Sequence, residues 1–298
     1  MTQARYTGLR AYMFLTITAL CWGGNTVLAR LAVGEVSPMV VVAMRWISVL
    51  ALLLVLARKH LQRDWPEMRM RLPYLAAMGA VGYTGFNSLF YIAAHSTTAI
   101  NLGIIQGAVP GFVLLGTLVF YRTPIGLLRS CGVILTMIGV VIVGSGGDMD
   151  RLMALAFNFG DVIMIGACFL YAGYTLGLRN RPQVSPLSML TVMAGAAFAA
   201  SLPLVAIEAS VGQLLMPTAT GWVVIGLITL FPSFLAQIFF IRGVELLGPA
   251  RAGVFINLVP VFASLFAVAF LNESFEAFHG VALALVLGGI WLSERGKS

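Results

Sequence analysis

The chain has 298 residues, of which 60% are hydrophobic and 10% are charged. Soluble domains carry about 25% charged residues, so this composition argues against a water-soluble enzyme, a disordered protein and a nucleic-acid-binding protein. The formal net charge is +7. It comes from Lys and Arg in short gaps between apolar runs, a pattern typical of inner-membrane proteins.

Continuous apolar runs follow one another along the whole chain. A helix needs about 20 apolar residues to cross the bilayer core, whereas a β-barrel would show shorter, alternating segments. The sequence therefore predicts an all-α membrane protein with ten transmembrane helices. The expected spans are 9–31, 37–57, 72–94, 98–120, 124–145, 158–178, 186–207, 220–241, 249–271 and 275–294.

The distribution of basic residues predicts the orientation. With the N-terminus inside, 15 of the 18 Lys and Arg residues fall on the cytoplasmic side, as the positive-inside rule requires. We therefore expect a multi-pass protein of the bacterial inner membrane with both termini in the cytoplasm.

The two halves of the chain resemble each other at an offset of 148 to 150 residues. Trp22 to Thr26 aligns with Tyr171 to Thr175, Ser37-Pro38 with Ser185-Pro186, and Pro110 with Pro260. The sequence thus predicts one five-helix repeat over 1–150 and a second over 151–298. Because five is odd, the second repeat enters the membrane inverted, an arrangement found in secondary transporters whose substrate sites lie between the repeats.

Two stretches resemble the ends of an EamA-type repeat. The opening is Ala19-Leu20-Cys21-Trp22-Gly23-Gly24-Asn25 with Ser37-Pro38 and Arg45, and the close is Phe270-Leu271-Asn272-Glu273 with Gly280 and Gly288-Gly289. The chain is thereby similar to the drug/metabolite transporter superfamily, and most similar to its bacterial aromatic amino acid exporters. This resemblance implies efflux of neutral, amphipathic metabolites. The first repeat departs from it, with Arg122-Thr123 where the second has Asn272-Glu273.

Polar and aromatic residues inside the spans are the candidate substrate ligands, because polar groups at membrane depth are costly unless they pair or face a cavity. Amide and phenol groups with aromatic rings suit a zwitterion that has a flat side chain. The alternative is that these residues are hydrogen-bonding contacts between helices. The set comprises Trp22, Asn25, Tyr83, Asn87, Asn101, Tyr171, Tyr174, Gln237 and Phe240.

Five further residues inside the spans could also take part in transport. Arg45 could bind a carboxylate, but the resemblance implies that the second helix is peripheral, which favours a structural role. Gln106 and Asn257 rank lower because they lie on other helix faces than Asn101 and Arg251. The matched prolines Pro110 and Pro260 are either hinges for alternating access or static bends.

No sequence feature of the chain indicates enzyme catalysis or a bound cofactor. Its three Cys and three His are widely spaced, and no metalloprotease or nucleotide-binding motif is present, so we expect no enzyme activity, metal or cofactor. Asp161 and Glu294 lie near span ends, which favours facilitated diffusion over proton coupling.

Several alternatives stay open at this point. They are export of other amino acids or drug-like cations, and sugar-phosphate or nucleotide-sugar exchange. The sequence argues against an intramembrane enzyme and a channel, because it shows no nucleophile–base dyad at membrane depth and no repeated filter-like loop. The expected partners are a small-molecule substrate, the lipid bilayer and a second copy in a homodimer, with no nucleic acid.

Overall fold

A computed structural model describes residues 2–122, 126–148, 150, 153, 157–247, 255 and 257–295. The described residues form helices, with no strand among them. Fourteen α-helices are labelled here in chain order: α1 Thr2–Leu31, α2 Pro38–Leu56, α3 Arg58–Met70, α4 Leu72–Gly79, α5 Phe86–Ala94, α6 Ala99–Gln106, α7 Val109–Tyr121, α8 Leu127–Gly144, α9 Phe159–Gly177, α10 Pro186–Ser210, α11 Ala219–Ile228, α12 Ala236–Leu247, α13 Val259–Leu271 and α14 Ala277–Arg295.

Wherever the structure describes them, most of these helices coincide with the expected spans to within three residues; α1 begins seven residues before its expected span, and α12 ends six residues after its own. Six segments are long and apolar enough to cross a bilayer: Leu9–Leu31, Pro38–Leu56, Ala99–Tyr121, Phe159–Gly177, Pro186–Ser210 and Ala219–Gly243. Shorter apolar helices cover the expected fifth, ninth and tenth spans. The segment 72–94 is helical throughout but more polar. The first ten residues of the expected ninth span, 249–258, lie largely outside the described residues.

Local sequence signals explain where several helices begin. Pro38 and Pro186 occupy the first turn of α2 and α10, where the missing N–H of proline costs nothing and its fixed φ suits the helix. The Thr98 hydroxyl caps α6 by accepting a hydrogen bond from the backbone N–H of Asn101 at 3.1 Å. The Thr218 hydroxyl caps α11 by accepting from the backbone N–H of Gly221.

The cytoplasmic loop expected between the second and third spans is instead the polar helix α3. Its Asp64 and Met68 are buried. The Asp64 carboxylate accepts hydrogen bonds from the Ser185 amide and the Ser188 hydroxyl, both at 2.8 Å. This helix therefore ties the first half of the chain to the start of α10.

Glycine contacts between α8 and α14 reveal an internal two-fold relation. A Cβ added at Gly139 would lie 2.8 Å from the Ala282 carbonyl oxygen, and one added at Gly289 would overlap the Gly132 carbonyl oxygen. The contact residue on α14 moves from 282 to 289 as the contact residue on α8 moves back from 139 to 132, so the two helices are antiparallel. Adding 150 to Gly139 gives Gly289, and adding 150 to Gly132 gives Ala282, so each contact is the repeat equivalent of the other. The last helices of the two halves therefore pack against each other in opposite directions, as inverted repeats require.

Packing between the halves follows the same symmetry. Helix α1 packs on α12 and α13 of the second half, and α9 packs on α5 and α7 of the first half. The first helix of each repeat thus lies against the third and fourth spans of the other repeat. Residues of α1 and α9 therefore lie at the boundary between the two halves.

Matched irregularities interrupt the third and fourth spans of each half. The π-helical turns Ala80–Gly85 and Thr229–Leu235 occupy equivalent positions; such turns are often found at functional sites. The helix is also broken at Gly107–Ala108 and at Asn257–Leu258, immediately before the turns that contain Pro110 and Pro260. Both prolines therefore open a new helical segment.

Candidate functional site

A cavity of about 340 Å³ lies between the two halves of the chain. It is called the inter-repeat cavity below. Its wall includes Trp22, Asn25, Arg45, Trp46, Gly82, Tyr83, Phe86, Asn87, Gln106, Val109, Pro110, Val113, Leu114, Thr117, Tyr171, Thr175, Gln237, Asn257 and Ile290. The volume is within the range of about 300–1,000 Å³ typical of small-molecule sites.

The structure brings six of the nine expected ligands to this wall: Trp22, Asn25, Tyr83, Asn87, Tyr171 and Gln237. The other three lie elsewhere. Tyr174 is buried, with its hydroxyl 3.4 Å from that of Tyr83, and Phe240 packs on Trp22 with ring centroids 5.3 Å apart. Asn101 belongs to a separate polar cluster described below.

The aromatic part of the wall is held in place by ring packing and one hydrogen bond. Trp46 and Tyr83 stack with centroids 4.4 Å apart and planes 6° apart, while Phe86 and Tyr171 lie 5.0 Å apart. The indole N–H of Trp22 donates to a carbonyl in the second π turn, that of Pro232, at 3.1 Å. The rings therefore present large, oriented apolar surfaces to the cavity.

The polar part of the wall is a chain of hydrogen bonds centred on Arg45. Its Nη1 donates to Asn87 Oδ1 at 2.6 Å and to the Tyr91 hydroxyl at 3.0 Å. Tyr91 in turn donates to Asn25 Oδ1 at 3.4 Å, and the Asn87 amide donates to the Tyr83 carbonyl at 2.6 Å. Arg45 thus orients two candidate ligands, directly or through Tyr91.

Sequence reasoning underestimated three of these residues. The peripheral position expected for the second helix was wrong at Arg45, which is 5% exposed and lines the cavity. Gln106 and Asn257, ranked low, also line it. Gln106 lies on a different face of α6 from Asn101, and it is the face of Gln106 that meets the cavity. A charge two turns inside an apolar span was the available signal for Arg45.

The wall extends along α7 towards its C-terminal end through Val113, Leu114 and Thr117. Thr175, near the C-terminal end of α9, lies on the same side. The orientation predicted from the basic residues makes this the cytoplasmic side of the bundle.

A buried polar cluster lies at the opposite ends of these helices and joins the two halves. The Asp161 carboxylate accepts a hydrogen bond from the Thr97 hydroxyl. It also accepts from the side-chain amide of Asn101, whose Nδ2 lies 3.1 Å and 3.3 Å from the two carboxylate oxygens. His279 Nδ1 accepts from the Glu276 amide at 3.0 Å. Nε2 must then carry the ring proton of a neutral imidazole, and it lies 3.2 Å from Asn101 Oδ1.

Glu273, the acidic residue of the closing motif, also acts across the halves. Its two oxygens accept hydrogen bonds from the first amides of α6, those of Ala99 at 2.8 Å and Ile100 at 3.0 Å. A left-handed Asn272, with φ of 52°, ends α13 just before it. Arg122 has the matching φ of 49° in the first half, and its neighbour Thr123 lies outside the described residues.

Comparison with known proteins identifies the same repeat organisation. The model of the EamA-like transporter family matches twice, at residues 9–145 and 158–295. A solved crystal structure superposes on 97% of this chain, and on the same share of its own chain, with a TM-score of 0.63 and 16% identity. That likeness supports the fold.

Curated relatives span nearly the full length of the chain. The uncharacterized transporters YyaM and YetK of Bacillus subtilis are 25% and 26% identical, over 95% and 96% of this chain and 92% and 87% of theirs. The uncharacterized inner membrane transporter YedA of Escherichia coli K12 is 24% identical over 93% of this chain and 88% of its own. The chain is a multi-pass membrane protein that belongs to the EamA-like transporter family.

Proposed function

We propose that this protein exports neutral, amphipathic metabolites across the bacterial inner membrane, with aromatic amino acids as the first candidates. The observation that carries the proposal is the inter-repeat cavity, where Trp22, Trp46, Tyr83, Phe86 and Tyr171 supply ring surfaces beside several side-chain amides. Rings favour a flat apolar side chain, and amides can both donate to a carboxylate and accept from an ammonium group.

The proposed mechanism is alternating access. The cavity extends towards one end of the bundle, and the cluster of Thr97, Asn101, Asp161 and His279 joins the halves at the other end. Opening the second side requires these contacts to separate while the first side closes. The breaks before Pro110 and Pro260 are proposed as the hinges, because a broken helix can bend there without losing further hydrogen bonds.

Facilitated release down a concentration gradient is proposed as the driving mode. No Asp or Glu is among the described residues that line the cavity, and a proton-coupled carrier usually holds a carboxylate in the transport path. Asp161 is fully buried, but it lies in the cluster between the halves and not in the cavity wall.

Sugar-phosphate or nucleotide-sugar exchange is less well supported. A phosphorylated substrate calls for several converging cations, and Arg45 is the one Lys or Arg in the cavity wall among the described residues.

The test uses purified protein in liposomes loaded with phenylalanine, tyrosine, tryptophan, threonine and leucine. We expect saturable release of the three aromatic amino acids, faster than that of threonine and leucine and unchanged by a pH gradient. Gln237→Ala should reduce the release. Gln213→Ala, which removes the same amide at an exposed position, is the control and should behave like the unmodified protein.

Each arm of this assay contradicts a different part of the proposal. Equal release of all five amino acids would contradict aromatic selectivity. A strong dependence on the pH gradient would contradict facilitated release. A release rate that does not saturate with amino acid concentration would indicate a channel. Release no faster than from loaded liposomes without protein would contradict amino acid export.

A further inference from the structure

Arg45 places a positive charge in the wall of the inter-repeat cavity. The side chain is 5% exposed and lies about two turns into α2. Its two hydrogen-bond acceptors, Asn87 Oδ1 and the Tyr91 hydroxyl, are both neutral. No carboxylate of a described residue lies within ion-pair distance of it. The charge therefore reaches the cavity without a counter-ion from the described part of the chain.

The Arg45 guanidinium lies 5.2 Å from the centroid of the Trp46 ring, but it has no acidic partner among the described residues. A charge in this state at this depth is a strong indication of a ligand. Buried cations in membrane proteins are costly, and they are normally paired or located on the path of a substrate or ion. Arginine keeps its proton in proteins and presents a planar fork that matches the two oxygens of a carboxylate. The described cavity wall contains no Asp or Glu that could fill this role.

Unpartnered polar atoms give an independent indication. Arg45 Nε and Asn257 Oδ1 are both buried and have no hydrogen-bond partner. They belong to side chains from the two different halves that line the same cavity. One is a donor on a cation and the other is a neutral acceptor. Buried polar atoms are seldom left unpaired. A ligand with both an anionic acceptor and a donor would satisfy both once the two side chains turn towards the cavity.

We propose that Arg45 binds the carboxylate of the substrate, so that the cavity accepts zwitterions and anions and rejects cations. This inference rests on the proposed function and adds the charge class of the substrate. A zwitterionic amino acid pairs its carboxylate with Arg45 and directs its ammonium group to neutral acceptors such as Asn257. An amine without a carboxylate meets a like charge and no acidic partner in the described part of the wall. Drug-like cations are therefore poor substrates.

The test measures binding to the purified full-length protein in detergent. Three probes share a phenyl ring: phenylalanine is a zwitterion, 3-phenylpropionate has only the carboxylate, and phenethylamine has only the ammonium group. Trp22 and Trp46 in the cavity wall supply the fluorescence signal. We expect phenylalanine and 3-phenylpropionate to bind, and phenethylamine to bind at least about tenfold more weakly, since loss of one charge-assisted hydrogen bond corresponds to such a factor.

Arg45→Gln should weaken binding of both carboxylates by roughly tenfold to a hundredfold, and it should not weaken binding of phenethylamine. Arg45→Lys keeps the charge but loses the planar fork, so we expect an intermediate loss. If Arg45→Gln does not fold, Arg45→Lys and the ranking of the three probes on the unmodified protein decide the question. Arg69→Gln, at an exposed position on α3, removes the same charge outside the cavity and should change nothing.

Two results would overturn the inference: phenethylamine binding as tightly as 3-phenylpropionate, or an Arg45→Gln variant with undiminished affinity for carboxylates. Its failure can be told apart from failure of the proposed function. Carboxylate binding that depends on Arg45, without release of aromatic amino acids from liposomes, would overturn only the export proposal. Aromatic amino acid release that is unaffected by Arg45→Gln would overturn only the role of Arg45.

Discussion

Glu273→Gln is the perturbation whose effect follows most directly from the structure. The Glu273 carboxylate accepts hydrogen bonds from the amides of Ala99 and Ile100, at 2.8 Å and 3.0 Å. These amides begin α6, where the first N–H groups of a helix have no partner within the helix. Glu273 follows α13, so the interaction holds the fourth span of the first half to the end of the ninth span. Glutamine keeps one acceptor oxygen and replaces the other with an NH₂ donor.

The expected loss combines two effects. A hydrogen bond to a charged group contributes about 1.5–3 kcal/mol, and a negative charge at a helix N-terminus adds about 0.3–1 kcal/mol. Glu273 is half-buried, so water competes and the lower ends of these ranges apply. We therefore expect Glu273→Gln to lower the free energy of unfolding by about 2 kcal/mol. At about 2 °C per kcal/mol for a large domain, the melting temperature should fall by about 4 °C.

The assay is thermal unfolding of the purified protein in one detergent, followed by the loss of the monodisperse peak in size-exclusion chromatography. Glu276→Gln is the matched control, because it removes the same charge from an exposed side chain at the N-terminus of α14, where the carboxylate lacks the two amide hydrogen bonds that Glu273 accepts. We expect the control to shift the melting temperature by less than about 1 °C. Equal shifts in the two variants would refute the capping role of Glu273.

Two further predictions concern helix packing and pH. Gly289→Ala should destabilise the protein, since its Cβ would overlap the Gly132 carbonyl oxygen. Gly288→Ala should be tolerated, because no atom of the described residues lies within 4 Å of its added Cβ. Equal melting temperatures for the two variants would contradict the close packing of α8 and α14. A hydrogen bond from Arg63 lowers the pKa of Asp64 to about 2. The ionised Asp64 therefore stabilises the folded protein above the pKa of about 4 that an unfolded Asp has, and this stabilisation is lost as the pH falls towards 2. The difference in melting temperature between the unmodified protein and Asp64→Asn should therefore narrow between about pH 4 and pH 2, and a constant difference would contradict this assignment.

Much of the architecture follows from the sequence because a bilayer restricts the possible structures. In the hydrocarbon core the backbone must satisfy its own hydrogen bonds, so a long apolar run becomes a helix. That constraint is why the expected spans agree with the observed helices at both ends of 37–57 and 158–178. The Ser-Pro pairs at Ser37 and Ser185 mark helix starts for a reason that needs no tertiary contact.

Local sequence failed where the outcome depends on neighbours in space. Helix α3 has few apolar residues, and its buried Asp64 is stabilised by Ser185 and Ser188, more than a hundred residues away along the chain. The π turns likewise have no reliable local signature. Their positions became recognisable as a matched pair only when both halves were folded.

The candidate site shows the same division. The residue types that could bind a metabolite were visible in the sequence, because polar and aromatic groups within apolar spans stand out. Which of them share a cavity was decided by the tertiary structure. Gln106 and Asn257 meet the cavity, a buried network brings Arg45 beside Asn87, and the Asn101 side chain bonds to Asp161 instead. A helix face is determined by the sequence, but the neighbour it meets is determined by how the inverted halves pack.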